Sequence, residues 1–286
     1  MTGQVDWITT VPTEVVTDLM ARDDFQPAPF LGLYYYLVNT EKPPLDDARV
    51  RRALALAVDR DEIVERVTRS GQVPAYSIVP DEMGKYMAYR PPAFGGFDPV
   101  EARRLLAEAG YPGGRDCPRI ELLYNTSESH KAIAEVIQSQ WKRHLGIDAT
   151  LSNQEWGAYL TARRQRRYMV ARAGWIGDYV DPNTFLDLFT SDNPQNQSGW
   201  SSAEYDRLVR AAQLEPDDAR RLALFRAAEE IVLAELPVIP IYFYVSQSMV
   251  RPYVTGFYSN IQDVHPLWAI GVDQPQRAEF RREGRR

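Results

Sequence analysis

The chain has 286 residues, 44% of them hydrophobic and 25% charged, the proportions of a folded chain large enough to bury a core in one or two domains. Its 39 acidic against 33 basic residues give a net charge of -6, which leaves no broad basic field for nucleic acid. Residues 1–20 carry Asp6, Glu14 and Asp18 and no secretory hydrophobic segment, no run approaches the roughly 18 to 20 apolar residues of a membrane span, and the single Cys117 excludes an intrachain disulfide.

Taken in chain order, residues 31–38 are a short apolar, tyrosine-rich run that predicts a strand. Asp46 and Asp47 open a helix to about Val58, with Val50, Leu54, Ala57 and Val58 on one face. Residues 74–99, rich in Pro, Gly and Tyr, predict a long surface excursion. Asp98 and Pro99 then cap and start a helix that ends near Gly110. A strand over 120–124, a helix over 129–145 stopped by Gly146 and a strand over 147–151 follow. Next come a helix over about 156–166 and a strand over 169–173, which puts residues 174–178 at its C-terminal end, where open α/β sheets gather ligands. Helices over about 202–213 and 217–235 and a strand over 238–245 complete the alternation of an α/β domain. The basic residues 277–286 predict a frayed, solvated terminus.

Catalytic signatures are weak. Cys117 stands between Asp116 and Pro118 in a turn-like region, and His130, His144 and His265 lack metal-ligand spacing. Gly95-Gly96 and Gly113-Gly114 are not followed by the Gly-Lys-Ser/Thr of a phosphate loop. The sequence therefore implies neither metal nor cofactor, and an acid/base pair in an α/β cleft would have no identifiable members.

The most informative stretch is Ala171-Arg172-Ala173-Gly174-Trp175-Ile176-Gly177-Asp178-Tyr179-Val180-Asp181, closed by Pro182. It sets one cation and one anion among glycines and aromatics. A free peptide is a zwitterion, so its capture needs an anion for the ammonium, a cation for the carboxylate and backbone groups within reach. This stretch resembles the ligand-binding loop of the periplasmic oligopeptide-binding proteins, in the peptide, nickel and opine class of extracellular solute-binding proteins that feed ABC importers. Tyr34-Tyr35-Tyr36, Val50-Arg51-Arg52-Ala53-Leu54, Leu123-Tyr124-Asn125-Thr126-Ser127, Asn153-Gln154-Glu155-Trp156 and Val238-Ile239-Pro240-Ile241-Tyr242-Phe243-Tyr244 follow in the family's order, and the match runs over roughly residues 3–270.

The resemblance covers the later half of a family member, without the export signal or opening domain. It implies an α/β, periplasmic-binding-protein-like second lobe (class II, cluster C type), a mixed sheet with flanking helices. Residues 1–24 would be a remnant of the first lobe, 25–240 the second, ligand-binding lobe, 241–270 a hinge or return segment and 271–286 a flexible tail. It also implies a periplasmic, non-enzymatic binding protein. Its partners would be short peptides, a permease in the inner membrane and the missing first lobe.

Residue by residue, Asp178 matches the family position that holds the peptide's ammonium, although a loop aspartate also caps the turn that follows. Arg172 matches an arginine that takes the C-terminal carboxylate, for which the planar guanidinium fork is suited, and an ion pair with an acid of the domain is the other reading. Arg163 matches a second carboxylate-facing position, with Arg164 next to it where relatives differ, and His130 a histidine that reaches the carboxylate of longer peptides. The run Arg163-Arg164, Arg166-Arg167 also reads as a solvated helix face. Trp156, Trp175, Ile176, Tyr179 and Asn125 would be pocket or supporting groups, although indoles such as Trp156 and Trp175 are more often core, and the main chain from Ala173 through Gly174 to Trp175 would hold the ligand as an added strand. A hydrolase with an unidentified acidic pair, and a lobe for an opine, sugar or metal chelate, are the other readings of the same cleft.

Overall fold

The computed structural model describes residues 5–9, 11 and 13–282. Its strands are β1 (Trp7–Ile8), β2 (Phe25–Val38), β3 (Val73–Pro74), β4 (Ile120–Asn125), β5 (Ala149–Gln154), β6 (Val170–Ile176), β7 (Val238–Val250), β8 (Val254–Thr255) and β9 (Gly271–Val272). Its helices are α1 (Thr13–Leu19), α2 (Ala48–Leu56), α3 (Arg60–Glu62, continuing into a π-helical turn, Ile63–Thr68), α4 (Pro99–Glu108), α5 (Glu128–Leu145), α6 (Trp156–Arg164), α7 (Asn183–Leu186), α8 (Ala203–Leu214), α9 (Asp218–Glu235) and α10 (Gln274–Arg282).

The caps set the helix boundaries. Asp47 accepts from the Arg49 N–H at 2.8 Å, Asp98 from Val100 and Glu101 at 3.1 and 2.9 Å, and Asp217 from Arg220 at 2.9 Å. Each such cap contributes about 1 kcal/mol. Gly146 ends α5 at φ +74°, and a Cβ there would meet the Gly113 carbonyl oxygen at 2.4 Å, so conformation and space both require glycine.

A mixed seven-stranded sheet runs in the order β1-β7-β2-β6-β4-β5, with β3 also paired to β7. β2 is antiparallel to both β7 and β6, while β4 is parallel to β5 and, over two residues, to β6. The register sets Tyr34 beside both Gly174 and Tyr242, and Tyr36 beside Arg172. Because side chains alternate along a strand, these residues share one face. α5 covers that face through His130, and Phe189, just past α7, packs against Tyr35 on the other, 6.3 Å between centroids. A second, smaller apolar cluster joins Val11, Val16 and Leu19 to Phe25 and Met249, where β2 begins and β7 ends.

Three expectations are corrected. Residues 74–99 are not a surface excursion: Ala75, Ile78, Val79, Met83, Tyr89 and Phe94 are buried. The cause is Glu229 on α9, fully buried, which accepts from the Ile78 and Val79 N–H groups at 2.7 and 2.9 Å and from the Tyr89 hydroxyl at 2.5 Å. The strand expected over 169–173 runs on to Ile176, so Gly174 and Trp175 belong to the sheet. The tail stays solvated, with no buried residue, but is helical over Gln274–Arg282, where Phe280 packs against Tyr253 and Arg277 pairs with Asp6 at 3.1 Å; residues 283–286 lie outside the described ones.

Burial pushes the Glu229 carboxyl up to about 7, from an unfolded value near 4.5. Between those values the folded chain binds more protons than the unfolded one, so stability falls as pH rises through that window. Glu229→Gln is expected to flatten the decline of the urea midpoint between pH 5 and 8 while keeping the fold. Glu229→Ala, which strands three donors, should cost roughly 3 kcal/mol or more. Equal pH slopes for wild type and Glu229→Gln would refute the assignment.

Candidate functional site

Arg172, on β6, is enclosed by tyrosines contributed by two other strands, β2 and β7. Its guanidinium carbon lies 4.8 Å over the Tyr34 ring, and Tyr34 in turn stacks on Tyr242 with centroids 4.7 Å apart. Nη2 donates to the Tyr244 hydroxyl at 3.1 Å, and Nη1 lies 3.5 Å from Asn125 Oδ1. Gly174 makes room for this arrangement: a Cβ there would stand 2.9 Å from the Tyr244 hydroxyl. The glycine therefore serves the cage around Arg172 as well as the strand edge.

No carboxylate pairs with Arg172 among the described residues, so the domain ion pair considered above is not found. Arg163 also lacks one. Its Nε donates to Gln197 Oε1 at 2.9 Å, and its Nη1 donates to the Tyr159 hydroxyl at 3.3 Å above the Tyr159 ring. Tyr159 is fully buried, its hydroxyl donates to the Arg172 carbonyl, and its ring stacks with the half-exposed Trp156. Arg163 thus belongs to this cluster and not to a solvated helix face.

His130 Nδ1 sits 3.3 Å from the Tyr34 hydroxyl. Burial, and then the charge of Arg172, hold its imidazole down at about 4, so it is neutral at neutral pH and offers an N–H donor but no positive charge.

Asp178 is exposed just past the end of β6, and its carboxylate has no partner among the described residues. The turn that follows is capped by Asp181, which accepts from the Asn183 N–H at 2.9 Å and holds Arg221 with two bonds of 2.8 Å. Asp178 and Arg172 are six residues apart, up to about 20 Å along an extended strand. Tyr179, also exposed, accepts from the Asn183 side chain at 2.7 Å.

The backbone of β6 is asymmetric. The Asn39 N–H donates to the Met169 carbonyl and the Gly177 N–H to the Leu31 carbonyl, so in this uninterrupted register the odd-numbered residues of β6 bond β2. Ala173 and Trp175 are therefore committed to β2, which corrects the expectation that their main chain holds a ligand. Gly174 and Ile176 turn their N–H and carbonyl groups to the other side, beyond the last β4 pairing at Ala171. Trp175 instead shares the opposite face with Leu33, and its indole N–H is buried without a partner.

Reasoning from sequence missed Tyr34, Tyr159, Tyr242, Tyr244 and Gln197. The alternating tyrosines of 34–36 and 242–244 carried the signal for the cage, since period-two spacing puts them on one face; nothing local marked Gln197. A separate pocket of about 650 Å³, lined by Arg22, Asp24, Arg251 and Phe280, lies at the far end of β7. Three of its charged groups are tied to one another, Asp24 pairing with Arg22 at 2.7 Å and Arg251 at 3.1 Å, while Asp23 has no ion-pair partner among the described residues. Among the described residues no three His, Cys, Asp or Glu side chains cluster as metal ligands, and no helix is long and apolar enough to cross a membrane.

Residues 1–197 match the bacterial extracellular solute-binding proteins, family 5 Middle. The chain is 37% identical to the oligopeptide-binding protein OppA of Bacillus subtilis over 251 residues, 85% of this chain and 46% of that protein. Its fold matches the Escherichia coli murein tripeptide binding protein MppA at a TM-score of 0.83 and 35% identity, over 94% of this chain and 54% of that one. It also matches Haemophilus influenzae OppA in complex with RPPGFSPFR at a TM-score of 0.80 and 34% identity, again over 94% and 54%. The chain thus spans about half the length of the relatives it matches.

The His130 environment generates a pH test. Its folded value lies below the unfolded 6.5, so the unfolded chain binds more protons in between, and stability falls as pH drops from about 6.5 to about 4. His130→Gln is expected to lose less stability than wild type between pH 7 and pH 4.5 in urea unfolding; an identical loss would refute it.

Proposed function

The chain belongs to the family 5 bacterial extracellular solute-binding proteins, and on that basis we propose that it forms the ligand-binding lobe of an ABC-importer receptor for short peptides. One observation supports this most: among the described residues, two arginines without carboxylate partners lie near one end of a free strand edge, and an aspartate without a partner lies past the other. This is the complement of an extended zwitterion. The ammonium binds Asp178 and the carboxylate binds Arg172, with Arg163 and His130 serving longer chains. The ligand then runs antiparallel to β6 and pairs with Gly174 and Ile176. Trp156, Trp175, Ile176 and Tyr179 border the side chains, and Asn125 steadies Arg172.

Such a site binds and releases without bond chemistry, as expected of a carrier and not of an enzyme. The similar proteins are about twice as long, which accords with a first lobe that closes over the ligand by hinge motion. In this reading residues 25–240 are the binding lobe, 1–24 and 241–270 lead to the other lobe, the compartment is the periplasm, and a permease receives the peptide.

One lobe leaves the ligand open to water, and ion pairs so exposed contribute at most about 1 kcal/mol each. The 286-residue chain is therefore expected to bind trialanine near the millimolar range, roughly -4 kcal/mol, in a chemical-shift titration. Asp178→Asn should remove most of the preference for trialanine over its N-acetyl form. Equal weakening for both ligands would show that Asp178 does not read the ammonium, and micromolar affinity in a monomer would show that this lobe is a complete receptor.

A further inference from the structure

The backbone of β6 has only a short free edge. Val170 and Ala171 pair with β4, and the slanted bonds of a parallel ladder carry the last rung, Leu123 with Ala171, on to the Arg172 N–H. The Arg172 carbonyl is the next group along, and the Tyr159 hydroxyl already donates to it. What remains toward that side is the N–H and carbonyl of Gly174 and of Ile176. An antiparallel chain can thus pair at two of its residues, one opposite Ile176 and one opposite Gly174, before its carboxyl end approaches Arg172.

We infer that Tyr159 is a positioning residue that sets peptide length, by ending the ligand's strand register at Arg172 and fixing Arg163 on the far side of that stop. The inference rests on the peptide-binding reading. One phenol hydroxyl donates a single proton and accepts on its oxygen. Here it gives the proton to the Arg172 main-chain carbonyl and accepts from Arg163 Nη1 at 3.3 Å, so one atom ties the β6 backbone at Arg172 to the Arg163 guanidinium. The Tyr159 ring lies beneath the Arg163 guanidinium, 5.5 Å from its centroid, and Gln197 holds the Arg163 Nε at 2.9 Å. Trp156 stacks on the outer side of Tyr159 with centroids 5.7 Å apart, which leaves the ring little freedom. A three-residue peptide fills the positions opposite 176, 175 and 174 and points its carboxylate at Arg172. A longer one has to leave the sheet edge there, and the cation it next meets is Arg163.

Tyr159→Phe keeps the packing but gives the Arg172 carbonyl back to the edge, so a fifth ligand residue can pair opposite Arg172. Gln197→Ala loosens Arg163 and leaves the edge unchanged. The two variants therefore act in opposite directions on length. Chemical-shift titrations of the full 286-residue chain with trialanine, tetraalanine and pentaalanine read this out. Relative to wild type, the pentaalanine-to-trialanine affinity ratio is expected to rise at least threefold in Tyr159→Phe and to fall at least threefold in Gln197→Ala. A uniform loss at all lengths, or unchanged ratios, would overturn the length role. If Tyr159→Phe does not fold, the Gln197→Ala ratio alone decides. If the wild-type chain binds none of the three peptides, or Arg172→Ala binds them as wild type does, it is the peptide-binding reading itself that falls.

Discussion

Holding the Arg172 guanidinium away from bulk water without a carboxylate costs several kcal/mol before compensation. The Tyr34 face returns about 0.5 to 2 kcal/mol of that, and the Tyr244 hydroxyl adds one charge-assisted bond. These partners come from β2 and β7 and the arginine from β6, so the cage exists only when all three strands are in register. A slip of one residue would turn Tyr34, Tyr242 and Arg172 to different faces of the sheet. The requirement explains the glycine at 174 in the middle of a strand, where the Tyr244 hydroxyl needs the space of a Cβ. It also leaves the cation with unsatisfied capacity, since the Arg172 Nε is buried without a partner among the described residues.

Much of the frame was legible in the sequence because its signals are local. Asp47, Asp98, Ser202 and Asp217 stand where they cap helices, and Gly146 stands where one ends. Strand cores 31–38, 120–124 and 238–245 read correctly from β-branched and aromatic residues. What failed depended on distant partners. Residues 74–99 look like a loop until Glu229, about 150 positions away, satisfies their amides, and Phe280 looks like part of a tail until Tyr253 receives it.

The candidate site divides along the same line. Arg172, Asp178, Arg163 and His130 could be matched by position, but which carboxylates the arginines lack is a fact of three dimensions. The direction of each backbone amide along β6 is likewise fixed by pairing with β2, so sequence could not tell that Gly174 is free while Ala173 and Trp175 are committed. Gln197 carries no pattern of its own and becomes meaningful only where it meets Arg163.

The long pairing of β2 with β7 has a consequence in time. Tyr34 and Tyr242 are about 200 positions apart, so their contact closes one of the longest loops in the chain, and such contacts form late. On a ribosome, β2 emerges early and gains β6 as a neighbour well before β7 has been made. During that interval its other edge is bare, apolar and aromatic, the kind of edge that recruits foreign strands. The cage around Arg172 shares this delay, because Tyr242 and Tyr244 arrive with the last long strand. The chain therefore passes through a stage in which its core is partly built and its arginine is still in water, and the same strand that ends the aggregation hazard completes the site.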